Sequence, residues 1–349
     1  MSSLVRSLVL AIVLVGGVTA CSPENAQTQF ERGRAYEKGQ GVPQDDAQAL
    51  AWYHKAAEQG HADAQYMLGG IYRNGKGVPR DDAQAVVWIR KAAEQGLAEA
   101  QYELGERYAS GQGVPQDDSQ AVVWYRKAAE QGKLYAQYRL AEMYNSGQGV
   151  QQNNQQAAVW YHKAAEQGDA DSQYRLGWMY ANGQGVPKND QQAAIWYYKA
   201  AEQGDAKAQF VLGISYANGK GVAQDYAQAM AWYRKAAEQG LAEAQYELGG
   251  MYTRGQGVLP DAAQGLAWYR KAAEQGLADA QYALGGMYKK GLGVQLDDQQ
   301  AYAWLSVAAA NGHIWASMER DDIAKRLMSA QLVEAQALAT KYFEQYQPK

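Results

Sequence analysis

The chain runs to 349 residues with a net charge of −4, 47% hydrophobic and 20% charged residues, and a single cysteine. That composition excludes a disordered chain, a disulfide framework, a thiolate zinc site and the basic footprint of a nucleic-acid binder. Length alone suggests about two domains, but the sequence divides into a 25-residue leader, eight consecutive 36-residue repeats and a 36-residue tail, and such self-similarity overrides the length prior.

Residues 1–20 have the parts of a secretory signal peptide: Arg6, an apolar run from Leu8 to Val15, and small residues before a cut site. The run is far shorter than the ~20 residues a transmembrane helix needs. Val18-Thr19-Ala20-Cys21 resembles the lipobox of bacterial lipoproteins. The resemblance implies cleavage before Cys21, a diacylglycerol group on its sulfur and often an acylated amino terminus. Several acyl chains anchor stably where one is marginal. Ser22 follows the cysteine where Asp would otherwise stand, and by resemblance to enterobacterial lipoproteins this implies sorting to the outer membrane. The other readings of the leader are a secreted product cut after Ala20 and an uncleaved anchor. Residues 21–25 are left as a tether of under ~20 Å, at ~3.5 Å per extended residue, so the folded body is expected close to its membrane.

Eight repeats follow over residues 26–313, starting at Ala26, Ala62, Ala98, Leu134, Ala170, Ala206, Ala242 and Ala278. In the seventh, Tyr246, Leu248, Gly249 and Tyr252 lie at helical spacing, and Gly265, Trp268, Tyr269 and Ala272 form a second stripe. Two helices with one apolar stripe each cannot bury themselves alone, so stacking on neighbours must supply the core. The second helix opens with Asp or Asn and, three residues later, Gln (Asp45 and Gln48, Asn153 and Gln156, Asp261 and Gln264), which has the form of a capping box. It closes at Gly60 and its copies, where a left-handed residue fits. Gly39-Gln40-Gly41-Val42-Pro43 and its copies make the tight loop between helices.

The pattern A-x-A-Q-Y-x-L-G-x-x-Y, then G-x-G-V-P, then A-x-x-W-Y-x-K-A-A-E-Q-G resembles the Sel-one-like repeat family, relatives of tetratricopeptide repeats. The resemblance implies an all-α fold, an α/α superhelical solenoid of eight helix-turn-helix repeats whose first helices line the concave face. It also implies adaptor or scaffold work, since several bacterial members are exported and affect envelope functions or host contact. Arg32 stands where most later repeats have Leu, as an end repeat facing solvent should. Leu305, Ser306 and Val307 make the last second helix greasier, so it is expected to receive residues 314–349 as a helical cap, with a helix from about Ala330 to Tyr346.

Candidate chemistry is sparse. Paired acids such as Asp45-Asp46 and Asp297-Asp298 lack the alternating ligands and twelfth-position Glu of a calcium loop, and capping explains the first acid of each pair. The G-x-G elements follow no strand and precede no Lys-Ser/Thr, so they read as turns. His54 and His162, and likewise His61 and His313, recur at equal positions in separate repeats, too far apart for one metal. No cofactor, metal site or catalytic set is expected, and the chain reads as a non-enzyme. The Trp series from Trp52 to Trp304 reads as packing. The Gln series from Gln29 to Gln281 is expected to hydrogen-bond neighbouring backbone.

What varies is the ninth position (Arg34, Gly70, Glu106, Glu142, Trp178, Ile214, Gly250, Gly286) and the sixth (Glu31, Met67, Glu103, Arg139, Arg175, Val211, Glu247, Ala283). By resemblance to tetratricopeptide grooves, the ninth position projects into the concave face. Arg34, Glu106, Glu142, Arg175, Trp178 and Ile214 are therefore the candidate partner-binding residues, against neutral drift on a solvated face. Trp178 leads them, because an exposed aromatic is a typical anchor. The expected function is a protein-interaction scaffold held in the bacterial envelope by Cys21, with protein or peptide partners. The alternative is a module that binds peptidoglycan or another glycan, or regulates a cell-wall enzyme.

Overall fold

The computed structural model describes residues 24–346; Cys21 and the leader lie outside them. Two units meet along the sequence between Asp117 and Asp118. The first holds α1 (Ala26–Lys38), α2 (Asp46–Glu58), α3 (Ala62–Asn74), α4 (Asp82–Glu94) and α5 (Ala98–Ser110). The second holds α6 (Asp118–Glu130), α7 (Leu134–Ser146), α8 (Asn154–Glu166), α9 (Ala170–Asn182), α10 (Asp190–Glu202), α11 (Ala206–Asn218) and α12 (Tyr226–Glu238). It continues with α13 (Ala242–Arg254), α14 (Ala262–Glu274), α15 (Ala278–Lys290), α16 (Asp298–Ala310), α17 (Ala316–Ala324) and α18 (Ser329–Gln345). Each repeat supplies two 13-residue helices, and the described residues contain no strand. Within each unit a helix packs on its repeat partner and then on the first helix of the next repeat. This is the all-α repeat solenoid that the periodicity predicts.

The helix ends form where the punctuation residues stand. Asp45 Oδ1 accepts from the Ala47 and Gln48 amides at 2.9 and 3.0 Å, capping α2. The reciprocal half of the capping box is replaced. The Asp45 amide donates to the Tyr36 carbonyl of α1 at 3.0 Å, and the Asn153 and Asp261 amides do the same to Tyr144 and Tyr252. The cap residue therefore also staples the two helices of its repeat together. At the other end Gly60 adopts φ 87°, its amide donates to Ala57 O, and His61 donates to Ala56 O, the paired bonds of a Schellman motif. In the interhelical loop Gly185 has φ 73°, and an added Cβ would run into the Asn154 carbonyl.

Leu68, Leu104, Leu140, Leu176, Leu212, Leu248 and Leu284 are fully buried, as are the alanine pairs of the second helices from α2 to α14. Gly177 lets Tyr197 lie against α9, since a Cβ there would sit 2.8 Å from the ring. Trp88, Trp160, Trp196, Trp232 and Trp304 are buried, in keeping with packing. The buried Gln series also has its expected role, and a second one. Gln173 Nε2 donates to Ala165 O in the last turn of α8 at 3.0 Å, and its Oε1 accepts from Gln203 Nε2 at 2.8 Å. Gln65, Gln209 and Gln245 repeat both bonds.

The tail differs from expectation by one helix. Alongside α18, which packs on α16 with Tyr342 and Tyr346 against Trp304, α17 stands in the register of a ninth first helix. Its fully buried Ala316 and Ile323 fall 36 residues after Ala280 and Met287.

Replacing Gln173 by Leu removes two hydrogen bonds, one to the Ala165 carbonyl, which keeps the Gly168 amide as a donor, and one from the exposed Gln203 amide. The expected cost is about 1 kcal/mol. Hydrogen exchange should quicken at the end of α8 and in α9 before the ends of the second unit, because stability in an array is passed between neighbours. Uniform loss of protection across the unit would contradict this.

Candidate functional site

The first helices present two variable positions, and the structure shows how they meet. The ninth residue of one repeat shares its surroundings with the sixth residue of the next. Glu142 on α7 accepts from Tyr138 Oη at 2.9 Å and pairs with Arg139 at 3.3 Å. Arg175, the exposed sixth residue of α9, lies in the field of the Tyr161 and Tyr138 hydroxyls and of Glu142. Burial, aided by the bond to Glu142, pushes the Tyr138 hydroxyl up to about 12. Ile214 and Glu247 likewise line one pocket.

The other candidates stand apart. Arg34 on α1 is half-buried, 3.5 Å from Glu31 and over the Phe30 ring at 5.9 Å. Glu106 on α5 is half-buried, and its carbonyl accepts from Ser110 Oγ at 2.7 Å. Trp178 on α9 is 41% exposed, a large apolar surface left open. Cys21 lies outside the described residues.

Sequence reading missed a carboxylate clamp. Glu103, the buried sixth residue of α5, accepts from Tyr66 Oη at 3.2 Å and from Arg107 at 3.0 Å, and it pairs with Arg73. Tyr66 and Arg73 are the fifth and twelfth residues of the preceding repeat. In the tail, Glu319 of α17 receives Tyr282 Oη at 2.7 Å and Lys289 Nζ at 3.0 Å from the same two positions of α15. The signal was available: Tyr followed 37 residues later by Glu, with a basic residue 30 before that Glu.

The second-helix face also carries features the sequence undersold. A lysine lies over the ring of Trp160, Trp196, Trp232 and Trp268, with Nζ 3.8–3.9 Å from the centroid. Lys235 is one of them and also approaches Glu202 at 3.8 Å. Beside it runs an exposed aliphatic line that includes Val159 and Ile195. Val159 borders a shallow groove of about 540 Å³ with Ala158, His162, Leu176 and Tyr180. Among the described residues no three His, Cys, Asp or Glu side chains converge on a metal position, and no helix is long and apolar enough to cross a membrane. The arrangement suits recognition: paired charges, an open indole and a pocket at Ile214 and Glu247 on the first helices of the second unit.

A sequence model described as Sel1 repeat matches residues 26–61, 62–97, 98–133, 134–169, 170–205, 206–241, 242–277 and 278–313. Among solved structures, the chain is similar to a Sel1 repeat protein from Oxalobacter formigenes at 35% identity and a TM-score of 0.64, over 85% of this chain and 86% of that one. It is also similar to a protective antigen present in uropathogenic Escherichia coli strains, which displays an SLR fold. That match has 36% identity and a TM-score of 0.51, over 93% of this chain and 85% of that one. None of the curated proteins matches the chain.

Burial works against the Glu319 carboxylate, but the bonds from Tyr282 and Lys289 outweigh it and hold the group below its ordinary value. A carboxyl depressed on folding stabilises above its unfolded value, and that contribution disappears as pH falls through the folded value. Glu319→Gln should therefore loosen α17 by about 1 kcal/mol at neutral pH and make little difference at about pH 3. Hydrogen exchange of the α17 segment, corrected for intrinsic rates, measures this. An equal effect at both pH values would show that the ionised clamp is not what holds the helix.

Proposed function

The chain belongs to the Sel1 repeat family, and on that premise we propose that it is a non-enzymatic scaffold of the bacterial envelope. Its anchor is the lipid on Cys21, in the outer membrane, and its partners are proteins or peptides bound along the first-helix face. The observation that carries this reading is the contrast within one register. Gln173, Leu176 and Gly177 repeat their neighbours' packing, while Arg34, Glu106, Glu142, Arg175, Trp178 and Ile214 differ from the residues at the same two positions of other first helices. A preformed face binds without the cost of ordering a loop, so modest contacts suffice. Placement in the envelope rests on the leader and on Val18-Thr19-Ala20-Cys21.

A glycan site would favour an aromatic flanked by a free amide. The Asn182 amide beside Trp178 instead donates to the Trp178 carbonyl at 2.8 Å, which favours the peptide reading.

Two measurements test the proposal. Cys21→Ser should move the protein from the membrane to the soluble fraction; unchanged membrane retention overturns the anchor. Crosslinking from the first-helix face in the native cell should capture partners. Trp178→Ala should weaken that capture by about 2 kcal/mol, more than Glu106→Ala, because a central aromatic contributes more than a rim charge. Helicity should be unchanged in both. Glu238→Ala, exposed near the end of α12, is the control. Capture that survives the first-helix changes and fails with Glu238→Ala would assign binding to the other face.

A further inference from the structure

The carboxylate clamp has one vacancy. Glu247 stands at the sixth position of α13, in register with Glu103 and Glu319. The repeat before it supplies Phe210 where they have a tyrosine and Ala217 where they have Arg73 or Lys289. Both donors are gone. In their place lies a pocket of about 330 Å³ walled by Ile214, Tyr226, Tyr233, Met251 and Arg254 as well as Glu247.

Nothing among the described residues satisfies the carboxylate. Burial raises the Glu247 carboxyl above its ordinary value; Arg254 opposes this from a distance without pairing, and Asp279 adds to it. Arg254 is turned aside, its Nε donating to Gln256 Oε1 at 2.9 Å while its guanidinium packs over Gly250. Tyr233, only 3% exposed, lines the same pocket with a hydroxyl that bonds no described residue. A half-buried carboxylate and a phenol oxygen thus face one open space with no donor from the described residues between them, which leaves both able to accept from a ligand.

We propose that this pocket binds a primary ammonium on an aliphatic stem, the side chain of a lysine in a partner peptide. The inference rests on the peptide-scaffold reading and names one of its contacts. An ammonium carries three donors, which the Glu247 carboxylate and the Tyr233 oxygen can accept. Ile214 and Met251 offer apolar surface to the methylene stem. An anion would meet Glu247, and an apolar group would desolvate that carboxylate without compensation. A guanidinium would bring a planar fork of five donors to one carboxylate and one hydroxyl, whereas the three donors of an ammonium fit those acceptors.

The test uses the folded chain labelled with carbon-13 at the methionine methyls, with Met251 as reporter. Nα-acetyl-lysine methylamide is the probe, its norleucine analogue the uncharged comparison and 1,5-diaminopentane the free amine. The lysine probe should shift Met251 saturably, with the norleucine analogue about tenfold weaker. Glu247→Gln should also weaken the lysine probe about tenfold, and it should fold, since it removes a carboxylate that burial disfavours. Phe210→Tyr combined with Ala217→Arg rebuilds the clamp and should abolish binding with no loss of helicity. Arg254→Met should leave binding intact or strengthen it.

Equal binding of the norleucine analogue, indifference to Glu247→Gln, or loss in Arg254→Met would each overturn the site. Diaminopentane binding as tightly as the lysine probe would overturn its assignment to a peptide. If the lysine probe fails while Trp178→Ala still impairs partner capture, this pocket is refuted and the scaffold reading stands.

Discussion

A buried amide holds each repeat to the one before it. The fourth residue of every first helix is glutamine, and from Gln65 onward its Nε2 reaches a carbonyl in the last turn of the preceding second helix. Those carbonyls already accept the amide of the glycine that follows the helix, as Ala57 does from Gly60, so the glutamine fills the second lone pair of a carbonyl at the helix end. The same amide's oxygen takes a hydrogen from the residue that closes its own second helix, Gln95 for Gln65 and Asn311 for Gln281. Three helices therefore meet at one side chain. An apolar residue there would pack equally well but would not set the sliding register of one helix past another. Directional bonds fix that register, and the fixed register makes the variable positions equivalent from repeat to repeat.

Equivalence is what lets small substitutions create different surfaces. At the sixth position a glutamate is neutralised where the preceding repeat offers tyrosine and a basic residue, as at Glu103 and Glu319, and is stranded where it offers phenylalanine and alanine, as at Glu247. The backbone is the same in all three cases. The difference between a structural contact and a vacant site lies in two side chains of a neighbouring unit, which is how an array can diversify recognition without disturbing its core.

The features that repeat were legible in the sequence: the 36-residue period, the left-handed glycines, the tryptophan stripe and the glutamine bond to backbone. Each is a local pattern whose physical meaning does not depend on the neighbouring unit. Other features needed three dimensions. The capping box is half replaced because the Asp45 amide finds Tyr36 across the loop, nine residues back and outside the helix it caps. The clamp joins residues 30 and 37 apart, a spacing invisible to helical periodicity. The first helix of the tail escaped notice because Ala316 and Ile323 are its only buried apolar residues, too few to mark a stripe. Of the candidate residues, Glu142 lies in the electrostatic field of Arg175, Ile214 lines a pocket, and Trp178 stays open.

The repeating register also bears on how such a surface would reach useful affinity. No single site on the first-helix face is large: one open indole at Trp178, one charged pair at Arg139 and Glu142, one pocket at Glu247. Each alone has the scale of a weak contact. All three lie in the second unit, on helices whose spacing the glutamine bonds hold fixed. A flexible partner that engages one of them presents its remaining length to the others at an effective concentration set by its chain, so weak sites multiply without new contacts. That gain requires the partner's anchors to fall at spans the helices dictate. Specificity then lies less in any one pocket than in the distance between pockets. A rigid array controls that quantity better than a loop does, which is a physical reason for building a recognition surface from identical units.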